Sequence, residues 1–307
     1  MTDSDRPRLA PSAISPWRRP GFIGFAFLLR SVFALIAALG LSGTVRASGI
    51  GEFSGGDRLL FEDGALYLLE LLRLAGPELL AAAGASAAVL CLGLLSGLLV
   101  AAVLLTALNT DGRLGVGSAL GRAAALFPTF FLLGALVLLA QSALLLGASM
   151  TFALVNAASS SERSADLLAA AVALVAGLCA LALGSLLDVA RAAAVRHELA
   201  SKHALLFALD VARRAPAGAL LGSFPYTAAG ALIVLGAALA TGAIDVGAPG
   251  AGRLLAVAAL HQLTLLALLV LRAAWLSRAL RLVATHAPTR RLELTSPALL
   301  PTRSGRG

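Results

Sequence analysis

Six long apolar runs constrain this chain more than any other feature of its sequence. Each run has more than 20 residues, and about 20 residues in an α-helix are enough to cross the hydrocarbon core of a bilayer. Only 13% of the residues are charged, whereas a soluble domain carries roughly 25%. The sequence therefore predicts an all-α, polytopic transmembrane helical bundle of about six spans. The predicted spans are residues 21–43, 77–108, 123–146, 167–189, 217–243 and 254–276.

The segments outside these runs predict three domains. Residues 1–20 are rich in Pro and Arg and are expected to form a disordered basic cytoplasmic tail. Residues 21–285 form the six-span transmembrane domain, and residues 286–307 form a second disordered cytoplasmic tail. The first run is longer than the 7–15 apolar residues of a signal peptide, yet residues 45–47 (Val-Arg-Ala) resemble a cleavage site. Whether the first span is a cleaved signal stays open.

The basic residues predict the orientation of the spans. With six spans and both ends inside, 17 Lys and Arg residues fall on the inner side and five on the outer side. An excess of Lys and Arg marks cytoplasmic segments. We therefore expect a multi-pass protein of the inner (plasma) membrane with both termini in the cytoplasm. The usage of Ala and Arg, with Lys202 as the single Lys, indicates a GC-rich bacterial genome.

The net charge of +8 does not indicate nucleic-acid binding. The Arg residues cluster at the ends of apolar runs, and no pattern of basic residues interleaved with aromatic ones is present. We expect the lipid bilayer to be a partner, together with a cytoplasmic or membrane protein, and no nucleic acid.

A polar stretch at residues 186–216 separates spans four and five and repeats the segment Leu-Asp-Val-Ala-Arg at 187–191 and 209–213. Within it, Ser201 is the expected N-cap and Pro216 the expected end of an interfacial cytoplasmic helix. We expect Asp188 to pair with Arg191, and Asp210 with Arg213, at i,i+3 spacing in exposed pairs. The candidate contacts of this cytoplasmic loop are Asp188, Arg191, Asp210, Arg213 and Arg214. A second, external amphipathic helix is predicted at residues 59–74, between spans one and two.

Four polar residues inside the apolar runs, Arg30, Gln141, His261 and Gln262, are candidate intramembrane contacts. Gln141, His261 and Gln262 match in depth, near the outer ends of spans three and six. They are either interhelical hydrogen-bonding groups or the lining of a cavity. Arg30 either extends toward the headgroups or pairs with a carboxylate, for which Asp188 is the nearest in depth. Arg272, near the inner end of span six, is expected to extend toward the headgroups.

No set of residues predicts catalysis. The chain has no H-E-x-x-H or G-x-S-x-G motif, no acidic metal cluster and no acid at the depth of His261. Cys91 and Cys179 lie inside apolar runs without metal-ligand spacing. We assign no catalytic, cofactor-binding or metal-binding residue and expect no cofactor.

The segments Asp188–Arg191 and Asp210–Arg213 carry a resemblance. Over about residues 165–285 the chain resembles a broad class of uncharacterised bacterial six-span membrane proteins, in which the loop between spans four and five carries a D-x-A-R-like segment followed by an Ala- and Leu-rich helix. The resemblance implies a membrane location and little about activity.

These features favour a non-enzymatic integral membrane protein that serves as an assembly or partner-binding subunit. The alternative is a permease or transporter component with a cavity near Gln141 and His261. A second alternative is an intramembrane enzyme that acts on lipid. We expect Asp188→Ala and Asp210→Ala to lower the yield of membrane-inserted protein more than Gln141→Ala does.

Overall fold

The described part of the chain is helical. The computed structural model describes residues 13, 15–47, 76–112, 114–158, 162–244 and 251–286, and these residues include no β-strand. A 3₁₀ turn at Pro16–Arg18 precedes the α-helices. The α-helices of these residues are α1 (Pro20–Ala47), α2 (Gly76–Asn109), α3 (Val116–Ala158), α4 (Glu162–His197), α5 (Ser201–Arg214), α6 (Pro216–Leu220), α7 (Phe224–Ala243) and α8 (Ala251–Ala284).

Six stretches within the described residues are long and apolar enough to cross a membrane. They are Pro20–Leu39, Ala83–Asn109, Val116–Val155, Asp166–His197, Pro216–Ala243 and Leu255–Ala284. Each overlaps one predicted span, so the prediction of an all-α chain with six candidate spans is confirmed. A helix satisfies its own backbone hydrogen bonds, which is why apolar runs of this length adopt it in hydrocarbon.

Helices α3 and α4 are longer than the apolar runs that predicted them. They contain 43 and 36 residues, because helical conformation continues into polar sequence at both ends. Pro128 lies inside α3, 12 residues after its first residue. The external helix predicted at residues 59–74 and the tail after residue 286 lie outside the described residues.

The chain divides into two compact units. Unit 1 contains the described residues of Met1–Arg19, Ala101–Ala228 and Arg272–Gly307, and unit 2 contains those of Pro20–Val100 and Ala229–Leu271. Helices α2, α7 and α8 therefore contribute residues to both units.

Unit 1 has a densely packed core where the ends of several helices meet. Its largest fully buried side chains include Leu105 of α2, Phe130 of α3, Phe207 of α5 and Trp275 of α8. Polar contacts surround this core, with Arg196 donating to Asn109 Oδ1 at 2.8 Å and Arg19 donating to the carbonyl oxygen of Thr110 at 2.9 Å. Burial of apolar side chains at about 25 cal/mol per Å² stabilises this assembly of helix ends.

The rest of α3 and α4 exposes large apolar side chains. Leu139 and Leu154 of α3 and Leu174 of α4 are each more than 60% exposed. An apolar surface of this kind is typical of helices that hydrocarbon surrounds, because soluble proteins rarely expose extended apolar patches.

Helix α5 is amphipathic, and its two faces differ clearly in burial. Ala204, Phe207, Ala208 and Val211 are buried. Lys202, Leu206, Leu209 and Arg213, spaced four, three and four residues apart, are exposed and form one stripe along the helix, which we name the outer stripe. The helix begins after Ala200 as N-cap, so Ser201 is its first residue and not its cap, contrary to expectation. Glu198 (φ +53°) turns the chain between α4 and α5 in the left-handed region, where a non-glycine residue is rare.

Span five is broken rather than continuous. Helix α6 ends at Leu220 and α7 begins at Phe224, so the three residues between them are not helical. Gly222 lies in the break, and a Cβ added to it would lie 2.7 Å from Cζ3 of Trp275. Pro225 is the second residue of α7, where its missing N–H costs little.

In unit 2, α1 and α2 approach closely at a glycine. A Cβ added to Gly93 would lie 3.2 Å from Cβ of Phe33, and the hydroxyl of Ser86 donates to the carbonyl oxygen of Ala37 at 3.0 Å. Gly97, four residues after Gly93, has no described atom within 4 Å of its added Cβ. Of this small-residue pair, only Gly93 therefore lies at a close approach between helices.

Candidate functional site: a buried carboxylate shared by two arginines

Within unit 1, helix α4 and the last part of α8 each carry a pair of polar side chains on one face. Asp188 and Arg191 are three residues apart on α4, and Arg272 and Trp275 are three residues apart on α8. Residues at this spacing lie on the same side of a helix, so the four side chains meet where α4 packs against α8.

The carboxylate of Asp188 is the centre of the cluster. Arg272 donates from Nη1 to Oδ2 and from Nη2 to Oδ1, both at 2.5 Å, and Trp275 donates from Nε1 to Oδ2 at 2.7 Å. The exposed fraction of Asp188 is 1%, whereas the side chain of Arg272 is 40% exposed. A two-pronged pair of guanidinium and carboxylate is among the strongest polar contacts in proteins.

Arg191 approaches the same carboxylate without displacing Arg272. Its Nη1 lies 3.7 Å from Oδ1 of Asp188, and its guanidinium carbon lies 5.5 Å from the centre of the Phe130 ring. Arg191 is only 7% exposed, and its Nε has no hydrogen-bond partner among the described residues. The cluster therefore contains one carboxylate for two guanidinium groups.

The break in span five lies against this cluster. Trp275 packs against Gly222, and the ring centres of Trp275 and Tyr226 are 6.1 Å apart. The hydroxyls of Ser185 and Ser223 share a hydrogen bond of 2.5 Å between α4 and the break. Trp275 thus links the ion cluster to the non-helical part of span five.

This arrangement joins α4 and α8 through one carboxylate. The carboxylate of Asp188 accepts three hydrogen bonds, and a second guanidinium group, that of Arg191, lies 3.7 Å from it. Its evident chemistry is electrostatic: it ties α8 to α4 and leaves one positive charge in excess.

The predicted loop residues separate into two groups. Asp188 and Arg191 lie together, as expected, but the pair is buried and not exposed, because α8 covers it. Asp210 pairs with Arg214 at 2.8 Å and not with Arg213, since the i,i+4 geometry brings the Arg214 guanidinium to the carboxylate. Arg213 is exposed on the outer stripe of α5.

Sequence reasoning missed Arg272 and Trp275 as partners of Asp188. Arg272 was expected to reach the headgroups, yet it reaches a carboxylate 84 residues earlier in the chain. Asp188 and Arg272 are both near the predicted inner ends of their spans, four and six. An acid and a base at the same predicted depth in two spans were the sequence signal that could have indicated this pair.

The intramembrane polar candidates lie in different units. Gln141, in unit 1, donates from Nε2 to the carbonyl oxygen of Ala180 at 3.2 Å, an interhelical hydrogen bond between α3 and α4. In unit 2, Gln262 accepts a hydrogen bond from the Ser31 hydroxyl at 3.3 Å, and His261 is exposed on α8. Arg30 is exposed on α1 of the same unit.

A groove of about 580 Å³ runs between α3 and α4. Its lining is almost wholly apolar, with Thr151 as a polar exception, and Gln141 is not part of it. The described residues also include no group of His, Cys, Asp and Glu able to hold a metal ion.

Comparisons with protein-family models, with curated proteins and with solved structures find no match for this chain.

Proposed function

We propose that this protein is a non-enzymatic, multi-pass subunit of a bacterial inner membrane, with both termini in the cytoplasm, that contacts anionic lipid headgroups through the outer stripe of α5. The excess of Lys and Arg in the segments assigned to the inner side supports this orientation. The engagement of Asp188 and Gln141 in contacts between helices favours an assembly role over a catalytic one.

The observation that carries the proposal is the pattern of the outer stripe. Leu206 and Leu209 are 44% and 38% exposed and lie between Lys202 and Arg213. Arg213 is three residues before Pro216, where the fifth candidate span begins, and a position so close to the start of a span supports a contact with headgroups. Exposed leucines flanked by cations are typical of helices that rest on an anionic membrane surface.

Nanodiscs of two compositions test this contact. Leu206→Cys, in full-length protein with Cys91→Ala and Cys179→Ala, carries an environment-sensitive fluorophore. We expect a blue shift in discs of phosphatidylglycerol relative to phosphatidylcholine, because anionic headgroups attract the stripe. Arg213→Gln should reduce the shift, whereas Arg214→Gln, whose guanidinium is engaged by Asp210, should reduce it less. Equal emission in both lipids would exclude the anionic-lipid contact.

A permease or transporter component is the second candidate, and the break in span five is the observation that favours it. Non-helical backbone at membrane depth is tolerated where protein buries it or where it lines an aqueous cavity, and broken helices often mark transport sites. The break at Leu221–Ser223 adjoins the ion cluster around Asp188. In this second candidate function the transport pathway passes the break, and not the region of Gln141 and His261 that the sequence suggested.

Cysteine accessibility distinguishes these two functions. Ser223→Cys is nearly isosteric and lies in the break, and Ala237→Cys is a buried control further along α7. A small thiosulfonate reagent should modify Ser223→Cys much faster if water reaches the break. Equal, slow rates of thiol modification at both positions would leave the permease function without support and would favour the function as an assembly subunit.

A further inference from the structure

The ion cluster contains more positive than negative charge. Asp188 is the carboxylate for both Arg191 and Arg272, and guanidinium groups stay protonated in proteins. A buried charge without a full counter-charge costs several kcal/mol in a medium of low dielectric constant. The cluster is therefore electrostatically suited to a further anion.

Arg191 also has a hydrogen-bond donor, its Nε, that no described residue accepts from. Arg272 and Trp275 occupy the carboxylate of Asp188 at 2.5–2.7 Å, which leaves Arg191 at 3.7 Å, beyond hydrogen-bonding distance. Its Nε is buried without an acceptor among the described residues. Buried donors are almost always satisfied in folded proteins, so an unpaired one on a 7% exposed cation indicates a missing acceptor.

We propose that Arg191 and Arg272 together bind a phosphate group, carried either by an anionic phospholipid headgroup or by free phosphate. The planar guanidinium donors match phosphate oxygens in pairs. Arg272 is 40% exposed and provides the approach, while Arg191 supplies donors from within and the Phe130 ring supports its guanidinium. The sequence assigns the inner ends of spans four and six to residues 189 and 276, and on that assignment both arginines lie near the level of the lipid phosphate groups.

Trp275 provides a direct reporter of this site. The chain has two Trp residues, and Trp17→Phe leaves Trp275, whose Nε1 donates to the carboxylate at the centre of the cluster. Full-length Trp17→Phe protein in dodecyl maltoside is titrated at constant ionic strength with inorganic phosphate, with short-chain phosphatidylglycerol and with short-chain phosphatidylcholine. Trp275 emission and the unfolding temperature are measured together.

We expect a saturable emission change and a higher unfolding temperature with phosphate or phosphatidylglycerol, and much weaker effects with phosphatidylcholine. A response to phosphate alone identifies a soluble ligand, and a response to phosphatidylglycerol alone identifies a headgroup. Arg191→Gln should weaken the apparent affinity at least about tenfold, as the loss of a charge-assisted hydrogen bond does. Arg278→Gln removes the same charge from an exposed position on α8 and should change the affinity less than about twofold, because an exposed charge contributes little.

Three results would overturn the proposal: no saturable response to either anion, equal responses to phosphatidylglycerol and phosphatidylcholine, or unchanged affinity in Arg191→Gln. If Arg191→Gln does not fold, Arg191→Lys keeps the charge and removes the planar donor pair. It should still weaken binding about tenfold, because lysine presents a point charge. Wild-type affinity in Arg191→Lys would refute a guanidinium site.

Discussion

At the scale of single residues, the two copies of Leu-Asp-Val-Ala-Arg have different environments. Asp188 of the first copy is buried and bound by Arg272, and Asp210 of the second is part of a partly exposed pair with Arg214. The sequences are identical, so the difference arises from what covers them. Helix α8 contributes Arg272 and Trp275 to the first copy, whereas the carboxylate of the second copy pairs with Arg214 of its own helix, α5.

This difference predicts unequal effects for the same substitution. Asp188→Asn should lower the free energy of unfolding by about 3–5 kcal/mol, because it leaves the buried guanidinium group of Arg191 without a counter-charge. Asp210→Asn should cost only about 0.3–0.5 kcal/mol, as for an exposed helical pair. Gln141→Ala should cost about 0.6 kcal/mol, the average for an interhelical hydrogen bond in a membrane.

Equilibrium unfolding in mixed micelles measures all three changes. Similar losses for Asp188→Asn and Asp210→Asn would contradict the assignment of Asp188 as the centre of a buried cluster. From the sequence alone, substitution of either aspartate was predicted to lower the yield of membrane-inserted protein more than substitution of Gln141.

At the scale of elements, the break in span five depends on the packing of one glycine against one tryptophan. A Cβ on Gly222 would lie 2.1 Å from the carbonyl oxygen of Gly218 and 2.7 Å from the Trp275 ring. Neither the backbone nor the ring can yield easily, because Nε1 of Trp275 is held by Asp188. The position of the break is thus coupled to the ion cluster.

Gly222→Ala should destabilise the protein by about 1–3 kcal/mol, as overpacking of a filled site does. Gly218→Ala is the matched control, since its added Cβ would make an ordinary contact of 3.5 Å with Leu282. The control should be neutral or slightly stabilising, because alanine favours a helix by about 0.5–1 kcal/mol over glycine. Unfolding temperatures in detergent give the comparison, and tolerance of Gly222→Ala would show that the break does not need a glycine.

At the scale of the whole molecule, the pattern of burial divides the chain. Packed side chains concentrate in unit 1 around the ends of α2, α4, α5 and α8, while long parts of α3 and α4 expose leucine. Such a division suits a protein whose apolar helices lie in hydrocarbon and whose helix ends pack outside it.

Impermeant maleimide labelling tests the proposed orientation. In the cysteine-free background, Ser160→Cys lies between spans three and four and should react in intact cells, because that segment is assigned to the outer side. Ser304→Cys, near the C-terminus, should react only after permeabilisation. Labelling of both positions in intact cells, or of residue 304 alone, would contradict an even number of spans with a cytoplasmic C-terminus.

Much of the architecture could be predicted from sequence. The class of protein, six candidate spans and a helix between spans four and five all follow from runs of apolar residues, because a membrane helix satisfies its backbone within one segment. The amphipathic character of α5 also follows, since it depends on residues three and four apart.

The sequence by itself thus determined where helices form and which of them suit hydrocarbon, since both depend on residues close together in the chain. Only the tertiary structure decided that Asp188 binds Arg272 across 84 residues, that Gly222 breaks span five against Trp275, and that Gln141 bonds to Ala180. These contacts depend on how separate helices rotate and pack against one another. A helix that suits hydrocarbon is apolar on all sides, so its sequence does not indicate which side contacts another helix.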